Sequence, residues 1–379
     1  MKRVVVLGGG FAGLSAVERL SHARGEVEVV LIDKRDARHF LPLLPDLVGR
    51  DLPPEALSFP HGPLEEKWGC IVRRDEVVRV DLERQTVRTM SDAFRYHYLL
   101  FATGSETSFY NRPEIRESAL TLHSVDDALR IREAFREDHH AHAIVAGGGY
   151  TGVEIATHLW RASRAHGFQG SIHLVEFAPS LCPGLPEKFQ AYVERQVRAL
   201  GIEVHLQASI ARIENHRVVL SDGQRFEDAM LVWTAGVRTA DFIHALPCKM
   251  NHQGRLFVDP FLRVAPRAFA AGDVAAFPKG EGPLRMGVRF AITQGARAAD
   301  NILRDIRNTP LRPYRSLDPG YVVPMGNGRG CGKVLGMPIR GRLPVWLHYT
   351  MCLYHSYGME NRRRLLKHLL AQSVRSGLS

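Results

Sequence analysis

Six glycines carry the strongest chemical signal in this chain, because they stand in two groups with one spacing. Gly8, Gly10 and Gly13 follow the apolar run Val4-Val5-Val6-Leu7. Gly147, Gly149 and Gly152 follow Ile144-Val145-Ala146. The first glycine of such a group permits a tight turn, the second lets backbone approach a bulky anion, and the third lets a helix pack close to a strand. The turn leaves N–H groups and the positive end of a helix dipole facing outward, which suits a pyrophosphate. Each group is followed by a strand that ends in a carboxylate, Asp33 or Glu176, placed to accept hydrogen bonds from ribose hydroxyls. Two such sites imply a protein that holds two dinucleotides and passes electrons between them.

The elements that must position these residues are legible around them. Lys2 to Leu7 reads as a buried parallel strand, Leu14 to Leu20 continues with helical spacing, and Val27 to Ile32 is a second strand ending at Asp33. The second unit repeats this with strand Ala143–Ala146, a helix over Glu154–Trp160 and strand Ile172–Val175 before Glu176. Glu176 would repel the 2′-phosphate of NADPH and so favours NADH, while Arg161 and Arg164 keep NADPH open. Glu154 directly follows the second turn. It is either a first-turn carboxylate that offsets the helix dipole or a group beside the nicotinamide. Tyr98–Phe101 is a buried strand ending in Ala102-Thr103-Gly104-Ser105, and Phe269-Ala270-Ala271 leads to Gly272-Asp273, where the Asp can bond a ribityl chain. From Arg289 to Ile306 one helical face collects Ala291, Gln294, Gly295, Ala298, Ala299, Ile302, Leu303 and Ile306.

Composition narrows the class. A chain of 379 residues, 45% apolar and 24% charged, is long enough for two or more ordinary globular domains. A strand beginning near Met1 leaves no room for a leader, and the longest late stretch without acidic or basic residues other than His, Leu343 to Met359, is short for a bilayer span. Cys70, Cys182, Cys248, Cys331 and Cys352 make no CxxC pair, so neither a structural metal site nor a vicinal redox disulfide is expected. The net charge is +10, and residues 340–379 hold seven basic residues against one acid. Trp346, Leu347, Thr350, Leu353, Tyr354 and Tyr357 make one face of a terminal helix. Leu365, Leu366, Leu369, Leu370 and Val374 make another behind Arg362-Arg363-Arg364. Such a pair suits an anionic lipid surface, or packs on the rest of the protein or on a second copy in a homodimer. Nothing resembles a nucleic-acid reader.

The ordered set resembles the pyridine nucleotide–disulfide oxidoreductases, in which the first turn binds FAD and the second NAD(P)H. More finely it resembles type II NADH dehydrogenase, the single-subunit NADH:quinone oxidoreductase. The matching segments are His39-Phe40-Leu41-Pro42-Leu43-Leu44, Ala102-Thr103-Gly104-Ser105-Glu106-Thr107, Gly147 to Glu154, and Trp233-Thr234-Ala235-Gly236-Val237-Arg238. Trp346, His348, His355, Gly358, Asn361 and Arg362 are similar to its membrane-binding segment. The resemblance implies an α/β fold of two Rossmann-like domains, for FAD and NADH, with a C-terminal amphipathic helical segment. It implies FAD contacts from Gly8, Gly10, Phe11, Ala12, Gly13, Asp33, Lys34, Val77, Ala102, Thr103, Gly104, Gly272 and Asp273. It implies NADH contacts from Gly147, Gly149, Tyr150, Thr151, Gly152, Glu176 and Gly236. Glu154, Arg289 and Gln294 are the expected catalytic residues, with a quinone (ubiquinone or menaquinone) as acceptor.

Two departures fall where the acceptor is expected: Arg289 stands for the usual Gln, and Pro45 for an aromatic. Arg289 would add charge beside the flavin, contact a quinone oxygen, or be a solvated surface arginine. The expected layout is an FAD domain over 1–110 and 250–310, an NAD(P)H domain over 111–249, and an acceptor-side and membrane segment over 311–379. Its first part, Thr309 to Pro344, reads as a Pro-, Gly- and Arg-rich link. The expected location is the inner face of the cell membrane, on the cytoplasmic side. Two other readings stay open: a related flavoprotein with another donor or acceptor (a sulfide:quinone oxidoreductase working through Cys182 and Cys331, or a soluble electron-carrier reductase), and a non-catalytic NADH sensor.

Overall fold

A computed structural model describes residues 1–50, 52–137, 140–280 and 282–376, with side chains left out at 137 and 370–376. The chain divides into two compact units. The first comprises Met1–Arg38, Pro60–Glu106 and Val237–Leu317, and the second His39–Phe59, Thr107–Gly236 and Asp318–Ser379.

The first unit is built on a six-stranded sheet in the order Arg263–Ala265, Ala268–Ala270, Tyr98–Phe101, Lys2–Leu7, Val27–Asp33, Ile71–Arg74. All neighbours pair in parallel except the edge hairpin of Arg263–Ala265 with Ala268–Ala270. Val4, Val5, Val6 and Leu7 have no exposed surface, as expected of a parallel strand covered on both faces. The chain starts in the middle of this sheet, moves outward to one side, and returns at Tyr98–Phe101 on the other. The order therefore reverses beside the carboxyl end of Lys2–Leu7, the place where open α/β sheets leave a crevice for ligands. Helix Phe11–Ser21 packs on helix Val288–Ile306 so closely that a Cβ on Gly295 would lie 2.1 Å from the Ala12 carbonyl oxygen.

The second unit repeats the plan on four parallel strands, ordered Glu203–Leu206, Ser171–Glu176, His142–Ala146, Ala229–Trp233. Its order reverses beside the end of His142–Ala146. Helix Tyr150–His166 follows the second glycine turn and begins four residues before the Glu154 start read from the sequence. A small antiparallel sheet of Ile210–Glu214, Arg217–Leu220 and Arg225–Phe226 joins a buried cluster with Ile144, Val175 and Trp233.

One expectation is corrected here. The stretch read as a link from Thr309 to Pro344 contains a folded meander of strands Gly320–Pro324, Gly330–Val334 and Met337–Gly341. Gly320, Gly330 and Gly332 allow the strands to approach closely: a Cβ on Gly332 would lie 2.1 Å from the Tyr321 carbonyl oxygen. Two helices follow, Leu343–His355 and Met359–Ser376. Tyr357, placed on the first helix from its spacing, lies beyond that helix's end. The side chains of Leu370 and Val374 fall outside those described.

Candidate active site

The two glycine turns have the same construction. Gly8 and Gly147 sit at φ +100° and +103°, a region open to glycine, and each lies against the strand that returns across the sheet. A Cβ on Gly8 would be 2.5 Å from the Ala102 carbonyl oxygen, and one on Gly147 would be 2.8 Å from the Ala235 amide nitrogen. The third glycines press on the first: a Cβ on Gly13 would be 1.8 Å from the Gly8 oxygen, and one on Gly152 1.7 Å from the Gly147 oxygen. The middle glycines differ. A Cβ on Gly10 or Gly149 meets nothing within 4 Å. No protein atom holds these two positions to glycine, so the open space in front of them is where a ligand's phosphates fit.

The carboxylates are seated alike as well. Asp33 accepts from the Gly9 amide through Oδ2 and from the Arg35 amide through Oδ1 at 2.7 Å. Glu176 accepts from the Gly148 amide through Oε2 at 2.5 Å and from the Ala178 amide through Oε1 at 2.8 Å. Both are therefore fixed at the mouth of their turn.

The first unit gathers most of its remaining candidates around this turn. Ala12 is buried, and Phe11 lies under the Arg38 guanidinium, 4.8 Å from the ring centre. Ala102, Thr103 and Gly104 close the turn from the neighbouring strand, and Thr103 Oγ1 is buried with no hydrogen-bond partner. Asp273 accepts from the Ser105 hydroxyl at 3.0 Å. Burial raises its carboxyl above the ordinary range, opposed by the Ser105 bond and the Arg255 charge. Gln294 is buried, and its side-chain oxygen accepts from the Gly272 amide at 2.8 Å, so this expected catalytic residue holds the Gly272-Asp273 turn. Arg289 sits in the first turn of its helix with Nε buried and without a hydrogen-bond partner. Lys34 is half exposed and pairs with Glu106 at 3.6 Å. Val77 is near the carboxyl end of the Asp33 strand: two residues before it, the Asp75 amide donates to the Asp33 carbonyl at 2.9 Å.

In the second unit, Tyr150 and Thr151 open the helix and are exposed. Thr234 Oγ1 donates to the Ala146 and Gly147 carbonyls at 2.9 and 3.1 Å, and Gly236 at φ +95° comes up against the Tyr110 hydroxyl.

The same unit contains a charged cluster that sequence reasoning missed. Helix Leu44–Gly49 has Pro45, a residue suited to a first helical turn, as its second residue, and carries Asp46, which is 3% exposed. Asp46 Oδ1 accepts from the Tyr349 hydroxyl at 2.7 Å and pairs with Arg50 Nε at 2.9 Å; His158 Nε2 stands 3.8 Å away. Burial alone would raise the Asp46 carboxyl. The charges of His158, Arg50 and His348, with the Tyr349 bond, outweigh it and hold Asp46 below its ordinary range. Burial lowers His158 to about 4, so its ring carries charge only in the acid range where Asp46 itself titrates. Glu154 lies one helical turn before His158, and burial, then the Asp46 charge, push its carboxyl well above the usual range. The two carboxyls are thus shifted in opposite directions, Asp46 below the ordinary range and Glu154 above it. The signal in the sequence was an acid inside the apolar run Leu43-Leu44-Pro45-Asp46-Leu47-Val48, since an acid there needs partners.

The terminal helices bury Val345, Cys352 and Leu365 and expose Leu343, Trp346, Met351, Tyr354 and Met359. Arg342, Arg363, Arg364 and Lys367 are also exposed. Among the described residues no helix is long and apolar enough to cross a membrane.

The model of the pyridine nucleotide-disulphide oxidoreductase family matches residues 2–299, which include both glycine turns, Asp273 and Gln294. The chain belongs to this family. Among pyridine nucleotide-disulphide oxidoreductases it is similar to a demethylphylloquinone reductase from Synechocystis, 27% identical over 91% of this chain and 93% of the relative. It is also similar to a type II NADH:quinone oxidoreductase from Haemophilus influenzae, 24% identical over 95% of this chain and 94% of the relative. Its fold matches that of NDH2 from Plasmodium falciparum, solved in complex with NADH, with a TM-score of 0.87 over 98% of each chain at 16% identity.

Proposed function

We propose that this chain is an FAD-dependent NADH:quinone oxidoreductase of the type II kind, with FAD at the Gly8 turn and NADH at the Gly147 turn. The observation that carries this is the matched pair of turns, each with a middle glycine facing open space and a carboxylate fixed beside it. The names of its relatives, demethylphylloquinone reductase and type II NADH:quinone oxidoreductase, supply the acceptor class.

The residues present fit both cofactors. Gly8 to Gly13 offer amides to a pyrophosphate, Asp33 a ribose partner, Thr103 Oγ1 an unused hydroxyl, and Asp273 an acceptor for a ribityl hydroxyl. Glu176 takes the ribose of the nicotinamide dinucleotide and selects NADH. Bound FAD supplies the chemistry that joins a two-electron hydride donor to a quinone. Arg289, at the start of its helix, adds positive charge where reduction builds negative charge. Reduction of a quinone to a quinol also consumes two protons. Glu154, whose carboxyl is pushed well above the usual range by burial and then by the Asp46 charge, is suited to give a proton. Asp46, fixed by Tyr349 and Arg50, is a positioning residue whose charge adds to burial in raising the Glu154 carboxyl.

The exposed Leu343, Trp346, Met351 and Tyr354, with basic residues nearby, support peripheral binding to an anionic membrane surface from the cytoplasmic side, where a lipid-soluble quinone is reached. A sulfide-oxidising variant of this chemistry would need a thiolate. Burial raises the Cys182 thiol, with the neighbouring Cys331 raising it further, and pushes Cys331 up to about 11. Both environments oppose thiolate formation. Anaerobic stopped-flow mixing tests the proposal. NADH should bleach the flavin of the purified protein, and a quinone analogue should restore its colour. Protein without flavin, or flavin that NADH cannot bleach, would refute it.

A further inference from the structure

Three side chains on the sheet of the second unit converge away from either glycine turn. His173 lies on strand Ser171–Glu176, and Glu203 and His205 lie on strand Glu203–Leu206. The strands run parallel with His173 opposite Glu203, and His205 is two residues on from Glu203. Directly paired residues, and residues two apart, share a face of a sheet, so register alone brings all three to one side. Among the described residues this is the one group of three His, Cys, Asp or Glu side chains with ligand atoms close enough to share an ion, all within 4.8 Å of one another.

The spacings are those of a coordination shell. His173 Nδ1 is 3.2 Å from His205 Nε2 and 3.5 Å from Glu203 Oε2. Tetrahedral zinc, with bonds to nitrogen and oxygen of about 2.0–2.1 Å, separates its ligands by about 3.4 Å. The third side closes by rotation of Glu203, whose side chain is 56% exposed. The other nitrogen of His173 is already engaged: Nε2 faces Ser171 Oγ at 2.9 Å and His142 Nδ1 at 3.1 Å. Such a partner on the far nitrogen fixes the ring and its tautomer and leaves Nδ1 free to bind a metal. Phe226 lies against His142, His173 and His205, with ring centres 5.2, 4.4 and 5.8 Å away, and gives the site an apolar wall. Glu203 is exposed and His205 partly so, which provides a way in.

From this geometry we infer that His173, Glu203 and His205 bind one divalent transition-metal ion of the zinc class, with water completing the shell. Two imidazoles and one carboxylate suit zinc, cobalt or nickel and are a poor set for calcium or magnesium, which take oxygen ligands. Without the ion, hydrogen bonds among the rings satisfy these groups. Binding takes His205 in its Nδ1–H tautomer, so that the Nε2 lone pair goes to the ion in place of the contact with His173. The ion cross-links two adjacent strands, one of which ends at Glu176, so its effect is on the stability of the second unit.

Zinc chloride titrated calorimetrically into untagged, chelator-treated flavoprotein tests this. One equivalent should bind tightly, survive gel filtration and raise the unfolding temperature. His205→Ala and Glu203→Gln alter solvent-facing side chains, so both variants should fold, and each should weaken that equivalent at least tenfold and abolish the thermal shift. His252→Ala, a change at an exposed histidine elsewhere, should leave both unchanged. No tight equivalent in the unaltered protein, or one that persists in His205→Ala, would overturn the assignment.

Discussion

At the scale of single residues, Glu154 and Asp46 make the sharpest predictions, because their shifts run in opposite directions. Glu154 binds its proton more tightly in the folded state than in the unfolded chain. Stability is therefore full below its unfolded value and falls as pH rises toward the folded one. Glu154→Gln removes this loss, so the variant should unfold at a higher temperature than the parent at pH 8 and match it near pH 4. Asp46 behaves in the opposite sense: its contribution is present above its unfolded value and disappears as pH falls through the folded one. Tyr349→Phe, which deletes the bond to Asp46 Oδ1, should cost about 1.5–3 kcal/mol at neutral pH, measured by denaturant unfolding. Catalysis gives an independent check. If Glu154 donates a proton to quinone, Glu154→Gln should slow quinone reduction about a hundredfold or more, yet leave flavin reduction by NADH near the parent rate. Asp46→Asn removes a charge that raises Glu154, so the alkaline limb of the kcat profile should move to lower pH. A limb that stays in place would separate Asp46 from the proton donor.

At the scale of elements, the strand–turn–helix unit of the second turn predicts different outcomes for two of its glycines. Gly152→Ala sets a methyl 1.7 Å from the Gly147 oxygen, and the helix must shift to admit it. Gly149→Ala strains nothing in the protein, so it should fold with the parent's stability and full flavin content while NADH binds at least tenfold more weakly. Flavin absorbance with an NADH titration distinguishes the two. The glycine turns were legible because each depends on residues within about 30 positions, and a turn's steric demands are written locally. The meander at Gly320–Gly341 was not, since its glycines resemble those of a flexible link until a neighbouring strand is in place. The Asp46 cluster was hidden for a related reason. Arg50 is only four residues away, but His158 and Tyr349 come from helices far along the chain, and only the lone acid in an apolar run announced it. The His173–Glu203–His205 group likewise needs strand register, which no short motif encodes.

For the whole molecule, the question is how a chain with no membrane-crossing helix among its described residues reaches a quinone dissolved in lipid. Removing the terminal helices would seem the direct test, but Tyr349 belongs to the first of them and its hydroxyl binds the buried Asp46. Truncation would take the Tyr349 hydroxyl away from that buried carboxylate and would confuse unfolding with loss of membrane binding. Side chains that face solvent avoid this. Trp346 is 61% and Tyr354 68% exposed, and Arg363, Arg364 and Lys367 are exposed on the second helix. Trp346→Ser with Tyr354→Ser removes apolar insertion. Changing the three basic residues to Glu reverses attraction worth about 1 kcal/mol for each charge near an anionic surface. The parent should sediment with phosphatidylglycerol vesicles, bind phosphatidylcholine vesicles poorly, and be released by salt as the Debye length shrinks. The charge-reversal variant should stay in solution at every salt concentration, whereas the Trp346–Tyr354 variant should retain weak, fully salt-sensitive binding. Both should reduce a water-soluble quinone analogue at the parent rate. Equal sedimentation of all three proteins would remove these helices from membrane binding. Loss of the soluble reaction would show that the same surface serves the active site itself.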